Sequence, residues 1–142
     1  MKTMIKTLPV VALALFMVAC GGSKKNYENL TAHEWVLDKV EYADSASQIV
    51  IPGQKELKIM FADSNKMVYG VAPCNGFFGP FTVEGDNLSF GNLASTMAYC
   101  LDMPFESAYH GWLSTVKTYK ATENTLTLRD GDNKLTLHYI KK

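Results

Sequence analysis

The sequence predicts a mainly β domain of the α+β kind: a small open or cracked antiparallel barrel of short strands with one amphipathic helix packed across it. Three observations carry that prediction. Short alternating apolar segments separated by Asn, Asp and Gly turns occupy most of residues 30–142. One stretch changes to helical spacing. The 123 residues from Cys20 onward suit a single core, which buries about two thirds of the unfolded chain's surface.

The chain opens with Lys2 and Lys6, an apolar run from Leu8 to Ala19, and then Cys20 and Gly21-Gly22-Ser23-Lys24-Lys25. This order resembles a bacterial lipoprotein signal over residues 1–19, because the run is too short to cross roughly 30 Å of hydrocarbon as a helix. In such proteins the cysteine sulfur is alkylated by a diacylglyceryl group, the peptide is cut before it, and the new amine takes an acyl chain such as palmitate. Each buried methylene contributes about 0.8 kcal/mol, so several chains hold firmly. Met17 stands where the commonest signal has Leu. Gly21 is not the aspartate that resembles an inner-membrane retention signal, so the expected address is the outer membrane, facing the periplasm, with the inner membrane or cell surface as alternatives. Residues 20–29 read as the lipidated cysteine and a flexible linker, and residues 30–142 as the folded domain.

Within the domain, Trp35–Tyr42, Leu57–Phe61 and Met67–Val71 read as strands, the last two joined by a turn at Asp63-Ser64-Asn65. Residues 85–90, 123–128 and 131–137 each place a turn before a Leu-x-Leu or Leu-x-Phe alternation. Asn, Asp and Gly tolerate the positive φ of tight turns, so these are hairpin signals, and the last two should pair. Then Phe105, Ala108, Tyr109, Trp112, Leu113 and Val116 recur at three- and four-residue spacing, with Asp102 as N-cap and Pro104 in the first turn. Gly111 lies off that face.

Lys2 and Lys6 leave with the signal, so the mature part carries 12 basic and 14 acidic side chains. The basic pairs Lys24-Lys25 and Lys141-Lys142 stand at its two ends, which gives no nucleic-acid footprint. The three histidines are scattered and no ligand pair has metal spacing, so neither a metal nor another cofactor is expected.

Two cysteines remain, Cys74 in Pro73-Cys74-Asn75-Gly76-Phe77-Phe78-Gly79-Pro80-Phe81 and Cys100 at the end of Ser95-Thr96-Met97-Ala98-Tyr99-Cys100. An even pair in an oxidising compartment favours a disulfide. These segments resemble the two motifs of the META/HslJ-like domain family. Cys74, Asn75, Phe77, Gly79 and Phe81 match its first motif; Ser95, Thr96 and Cys100 match its second, followed by a Glu and a helix like Glu106–Val116. The resemblance runs from about Leu30 to Tyr139. Pro73 replaces a glycine, and Met97-Ala98-Tyr99 replaces the commoner Arg/Lys-Met-Ala. It implies a small β-rich domain with one helix, often lipid-anchored, with no established enzymatic activity and with relatives linked to stress. The fold is also similar to that of secretin-pilotin lipoproteins, which hold lipid or a partner's tail in a cracked barrel.

The leading functional expectation is a non-enzymatic binding or structural lipoprotein of the envelope, joined to the membrane through Cys20, with a lipid or an envelope protein as partner. Phe77, Phe78, Phe81 and Tyr99 are candidates to line an apolar crevice beside the helix, but large aromatics usually go to buried surface, so core positions are the preferred reading for them. A pilotin-like chaperone is the alternative. Adjacent residues of a strand face opposite sides, so Phe77 and Phe78 should differ in burial. A thiol hydrolase would need Cys74 or Cys100 as nucleophile and His33, His110 or His138 as base.

Overall fold

The computed structural model describes residues 21–45, 49–53 and 55–142; the expected signal and Cys20 lie outside them. In chain order the elements are α1 (Gly21–Ala32), β1 (Glu34–Tyr42), β2 (Lys58–Ala62), β3 (Met67–Val71), β4 (Gly76–Glu84), β5 (Asn87–Phe90), β6 (Ala94–Ser95), α2 (Met103–Thr115), β7 (Val116–Ala121), β8 (Thr125–Asp130) and β9 (Leu135–Lys141). The sheet runs β3-β2-β1-β9-β8-β7-β5-β4 and closes on itself through β3 and β4, every pair antiparallel; β6 adds two residues beside β4. The mainly β barrel is present, and β8 and β9 pair as the expected hairpin from Thr125↔Ile140 to Arg129↔Thr136.

The ring is closed, but unevenly. β5 and β7 share one register pair, Asn87↔Thr118, so this seam is where an incomplete barrel would open. Helix α1 seals it. The Asn26 amide donates to Asp86 Oδ1 at 2.9 Å, its oxygen accepts the Ala121 N–H at 2.5 Å, and Asn29 Nδ2 donates to the Ala121 carbonyl at 3.1 Å. These side chains occupy backbone groups of β7 that a longer β5 would have paired.

This corrects the reading of residues 20–29 as a flexible linker: from Gly21 they are helical. Leu30 is the reason, since it plugs one end of the barrel with no exposure while the Trp35 indole N–H caps its carbonyl at 3.0 Å. It also makes two helices where one was expected.

The other end is closed by α2. Its buried stripe is Glu106, Tyr109 and Leu113, with Phe105, Ala108 and Trp112 half-buried beside it, and the helix ends at Thr115 so that Val116 already belongs to β7. The hydroxyls of Tyr109 and Tyr139 meet at 2.9 Å inside the core. The Trp112 indole donates to the Tyr42 hydroxyl at 2.8 Å, fastening α2 to the end of β1. Asp102 sits at the N-cap without a side-chain cap bond, and Pro104 lies in the first turn. The interior between the helices is filled by Trp35, Phe61, Val68, Phe77, Phe81, Leu128 and Leu137 among others, as the interior of an eight-stranded barrel is just wide enough to be.

Candidate functional site

Most of the family motif converges where β4 starts, β6 lies beside it and α2 begins. Cys74 and Cys100 are joined as a disulfide with their Cα atoms 5.5 Å apart. Next to it lie the two buried polar residues among the described ones, Asn75 at 2 % and Glu106 at 3 % exposure. One Glu106 carboxylate oxygen accepts the backbone N–H groups of Cys74 at 2.7 Å and Asn75 at 3.0 Å; the other accepts Asn75 Nδ2 at 2.6 Å. Asn75 then works outward. Its Nδ2 also donates to the Ala98 carbonyl at 2.9 Å, and its Oδ1 accepts the Ala98 N–H at 2.6 Å and the Thr96 hydroxyl at 2.8 Å.

Burial alone would raise the Glu106 carboxyl, but hydrogen bonds from the Asn75 side chain and from the Cys74 and Asn75 N–H groups outweigh it and hold the group below its usual range. Glu106 is thus an anion that accepts three hydrogen bonds, two on one oxygen and one on the other, which clamp the start of β4 to α2.

The clamp holds residues 94–101 as a strap that starts as β6 and ends in a turn at Leu101, where the Met103 N–H donates to the Cys100 carbonyl. Alternation divides its labour: Thr96 and Ala98 are bonded to Asn75, Cys100 to Cys74, and the intervening Met97, Tyr99 and Leu101 are 98 %, 84 % and 89 % exposed. Ser95 pairs with Phe77 across β6 and β4, and the Thr96 N–H donates to the Gly76 carbonyl at 3.0 Å.

Two glycines are steric requirements of this site. Gly70 stands opposite Phe77, and a Cβ there would lie 2.0 Å from the Phe77 ring. At Gly79 a Cβ would lie 2.7 Å from both the Asn92 carbonyl and the Leu93 side chain, so only glycine lets the chain cross from β5 to β6. Phe77 and Phe81 are core residues at 3 % and 4 % exposure, whereas Phe78 is 49 % exposed on the outer wall. The four candidate aromatics therefore separate: Phe77 and Phe81 fill the core, the reading preferred for them, and Phe78 and Tyr99 face outward.

Between the strap and α2 is a cleft of about 390 Å³ bordered by Asn75, Met97, Tyr99, Met103, Glu106 and His110. His110 lies one turn after Glu106 with Phe77 at its ring edge; its Nε2 is shielded and has no hydrogen-bond partner. Burial lowers its pKa, opposed by the Glu106 charge. His33 rests edge-on against Trp35, and His138 meets Glu41 at 2.7 Å. With both sulfurs in the disulfide, no free thiol stands beside a histidine among the described residues. Nor do three His, Cys, Asp or Glu side chains converge there in a metal-binding group.

The sequence pointed to Glu106 only as part of the helix, not as the hub of the clamp. The signal was a carboxylate three and seven residues before Tyr109 and Leu113, on the face those two bury.

A closed small barrel, sealed by two helices and carrying a disulfide-stapled strap over a buried Asn–Glu pair, defines the class. The META domain model matches residues 28–142, and the chain belongs to that family. Among solved structures it is similar to a protein from Burkholderia xenovorans, determined by NMR (TM-score 0.71, 21 % identity, 82 % of this chain and 88 % of that one). It is also similar to a DUF4847 family protein from Bacteroides vulgatus (TM-score 0.64, 11 % identity, 82 % and 97 %). A further NMR structure aligns with TM-score 0.59 at 24 % identity over 80 % and 92 %. These likenesses show the fold alone. No curated protein matches the chain.

Proposed function

We propose that this META domain is a lipid-anchored, non-enzymatic binding module of the bacterial envelope, held to the membrane through Cys20 and working through the strap at residues 94–101. The observation that carries the binding role is the division of the strap: three residues fixed to the barrel and three large apolar ones, Met97, Tyr99 and Leu101, held out in water. Apolar side chains displayed on a braced backbone lose little entropy when covered, which favours contact over catalysis. The Glu106 carboxylate held by three hydrogen bonds and the bonded cysteines support the same reading. A pilotin-like crevice has less behind it, because Phe77 and Phe81 are in the core.

The test is made in a bacterial host. The full chain should float with envelope membranes and yield a diacylglyceryl-modified N-terminal Cys20 by mass spectrometry, and Cys20→Ser should leave it soluble with unchanged melting temperature. An unmodified Cys20 in a soluble chain overturns the anchor. The strap is tested separately: Tyr99→Asp should keep the fold and abolish the phenotype of a complementing strain, whereas full complementation by it would remove the strap from the function.

A further inference from the structure

Met60 of β2, Tyr69 of β3, Phe78 of β4 and Ala94 of β6 stand opposite one another in successive register pairs. All four lie on the outer wall, with Met60, Tyr69 and Phe78 at 43 %, 39 % and 49 % exposure. At strand spacing the row crosses about 14 Å of surface. Exposed Pro80 and half-buried Met67, paired across β4 and β3, extend it along the strands. Single apolar residues on a surface are ordinary, but a continuous row marks a contact.

Two further observations say what covers it. From Asn87 to Leu101 the sequence holds no charged residue. The tether also enters on the same strand: Ser23 lies against Gly85 and Asn26 bonds Asp86, so the first turns of α1 rest on the turn that ends β4. Helix α1, which begins at Gly21, therefore starts at one end of β4, and the apolar row crosses the other half of that strand, within its length of about 26 Å.

We infer that the β2-β3-β4-β6 wall is a membrane-contact face: the barrel lies on its side upon the leaflet that carries its anchor, with Met60, Tyr69 and Phe78 among the lipid headgroups. This rests on the anchor reading of Cys20. Ile140, 46 % exposed on β9, is four strands round the ring from β4 and faces away.

The full chain is made in a bacterium with p-benzoylphenylalanine in place of Tyr69, Phe78 or Ile140, the envelope is irradiated, and adducts are identified by mass spectrometry. Phospholipid adducts at positions 69 and 78, several-fold above position 140, are expected. A protein adduct at 78, no adduct there, or equal lipid adducts at 78 and 140 would each overturn the face. Flotation of the same samples separates the two readings: a floating chain without a lipid adduct at 78 loses the face and keeps the anchor, while a chain with intact Cys20 that does not float loses both.

Discussion

Asn75 Nδ2 lies 2.6 Å from the Glu106 carboxylate while the same side chain grips Ala98 on both its N–H and its carbonyl. One amide therefore transmits the position of α2 to the strap, and the strap's shape depends on a helix residue it does not touch directly.

Removing the hub should be expensive. Glu106→Ala leaves the N–H groups of Cys74 and Asn75 without their acceptor in a buried site, at about 1–3 kcal/mol for each unpaired group. We expect a loss of about 3 kcal/mol or more and a melting temperature lower by roughly 10 °C, read by circular dichroism. Glu106→Gln keeps the shape but turns a donor toward donors, and should recover less than half of that loss.

Acid should weaken the fold in two steps. The folded state holds Glu106 below its ordinary value of 4.5, so as pH falls past that value the unfolded chain takes the proton first and stability declines until the folded carboxyl is protonated too. Burial likewise holds His110 below 6.5, which begins the same decline at higher pH. Melting temperature should therefore rise from pH 3 to pH 7. His110→Gln should flatten the upper part of that slope and Glu106→Gln the lower. Asn75→Asp should show the reverse behaviour, hurting more at pH 7 than at pH 4, because it sets a second carboxylate against the first.

The disulfide closes a separation of 26 residues and should contribute about 3.5 kcal/mol by restricting the unfolded chain. Cys74→Ser with Cys100→Ser should lower stability by that order. Hydrogen exchange at Ala98 should rise less than at Leu101, because Asn75 still holds Ala98 when the sulfur bridge is gone.

Gly70→Ala should cost about 1–3 kcal/mol, as a methyl group cannot share space with the Phe77 ring. Phe77→Leu alone should also destabilise. The double variant should be more stable than the sum of the two predicts, and simple additivity by denaturant unfolding would contradict the packing described.

The strands and the second helix were legible because alternation and three-to-four spacing report which faces are buried, and both are local. The cysteine pair and its flanking Asn75, Phe77 and Gly79 were legible as a motif. What stayed hidden were long-range partners made by polar side chains: Glu106 bonding 31 and 32 residues back, and Asn26 reaching 95 residues forward to Ala121. Polar residues read as solvent-facing unless a partner is known, and nothing local to Gly21–Asn29 announces one. The closure of the ring where β1 meets β9 was hidden for a related reason, since a ring and an open sheet share the same alternation.

The helix misread as a linker yields the sharpest stability test. If Gly21–Asn29 were only a spacer, replacing Asn26 would matter little more than any surface change. With the observed contacts, Asn26→Ala strips the Ala121 N–H and Asp86 of a partner at the weakest seam of the barrel and should cost about 1–2 kcal/mol. Leu30→Ala empties a fully buried position and should cost about 2–5 kcal/mol. Both should raise hydrogen exchange first at Tyr119 and Ala121, whose N–H groups go to the Asp86 carbonyl and to Asn26 Oδ1, because on that side β7 has a single register pair with β5. Exchange that rises uniformly round the ring would mean that α1 adds stability without sealing the seam.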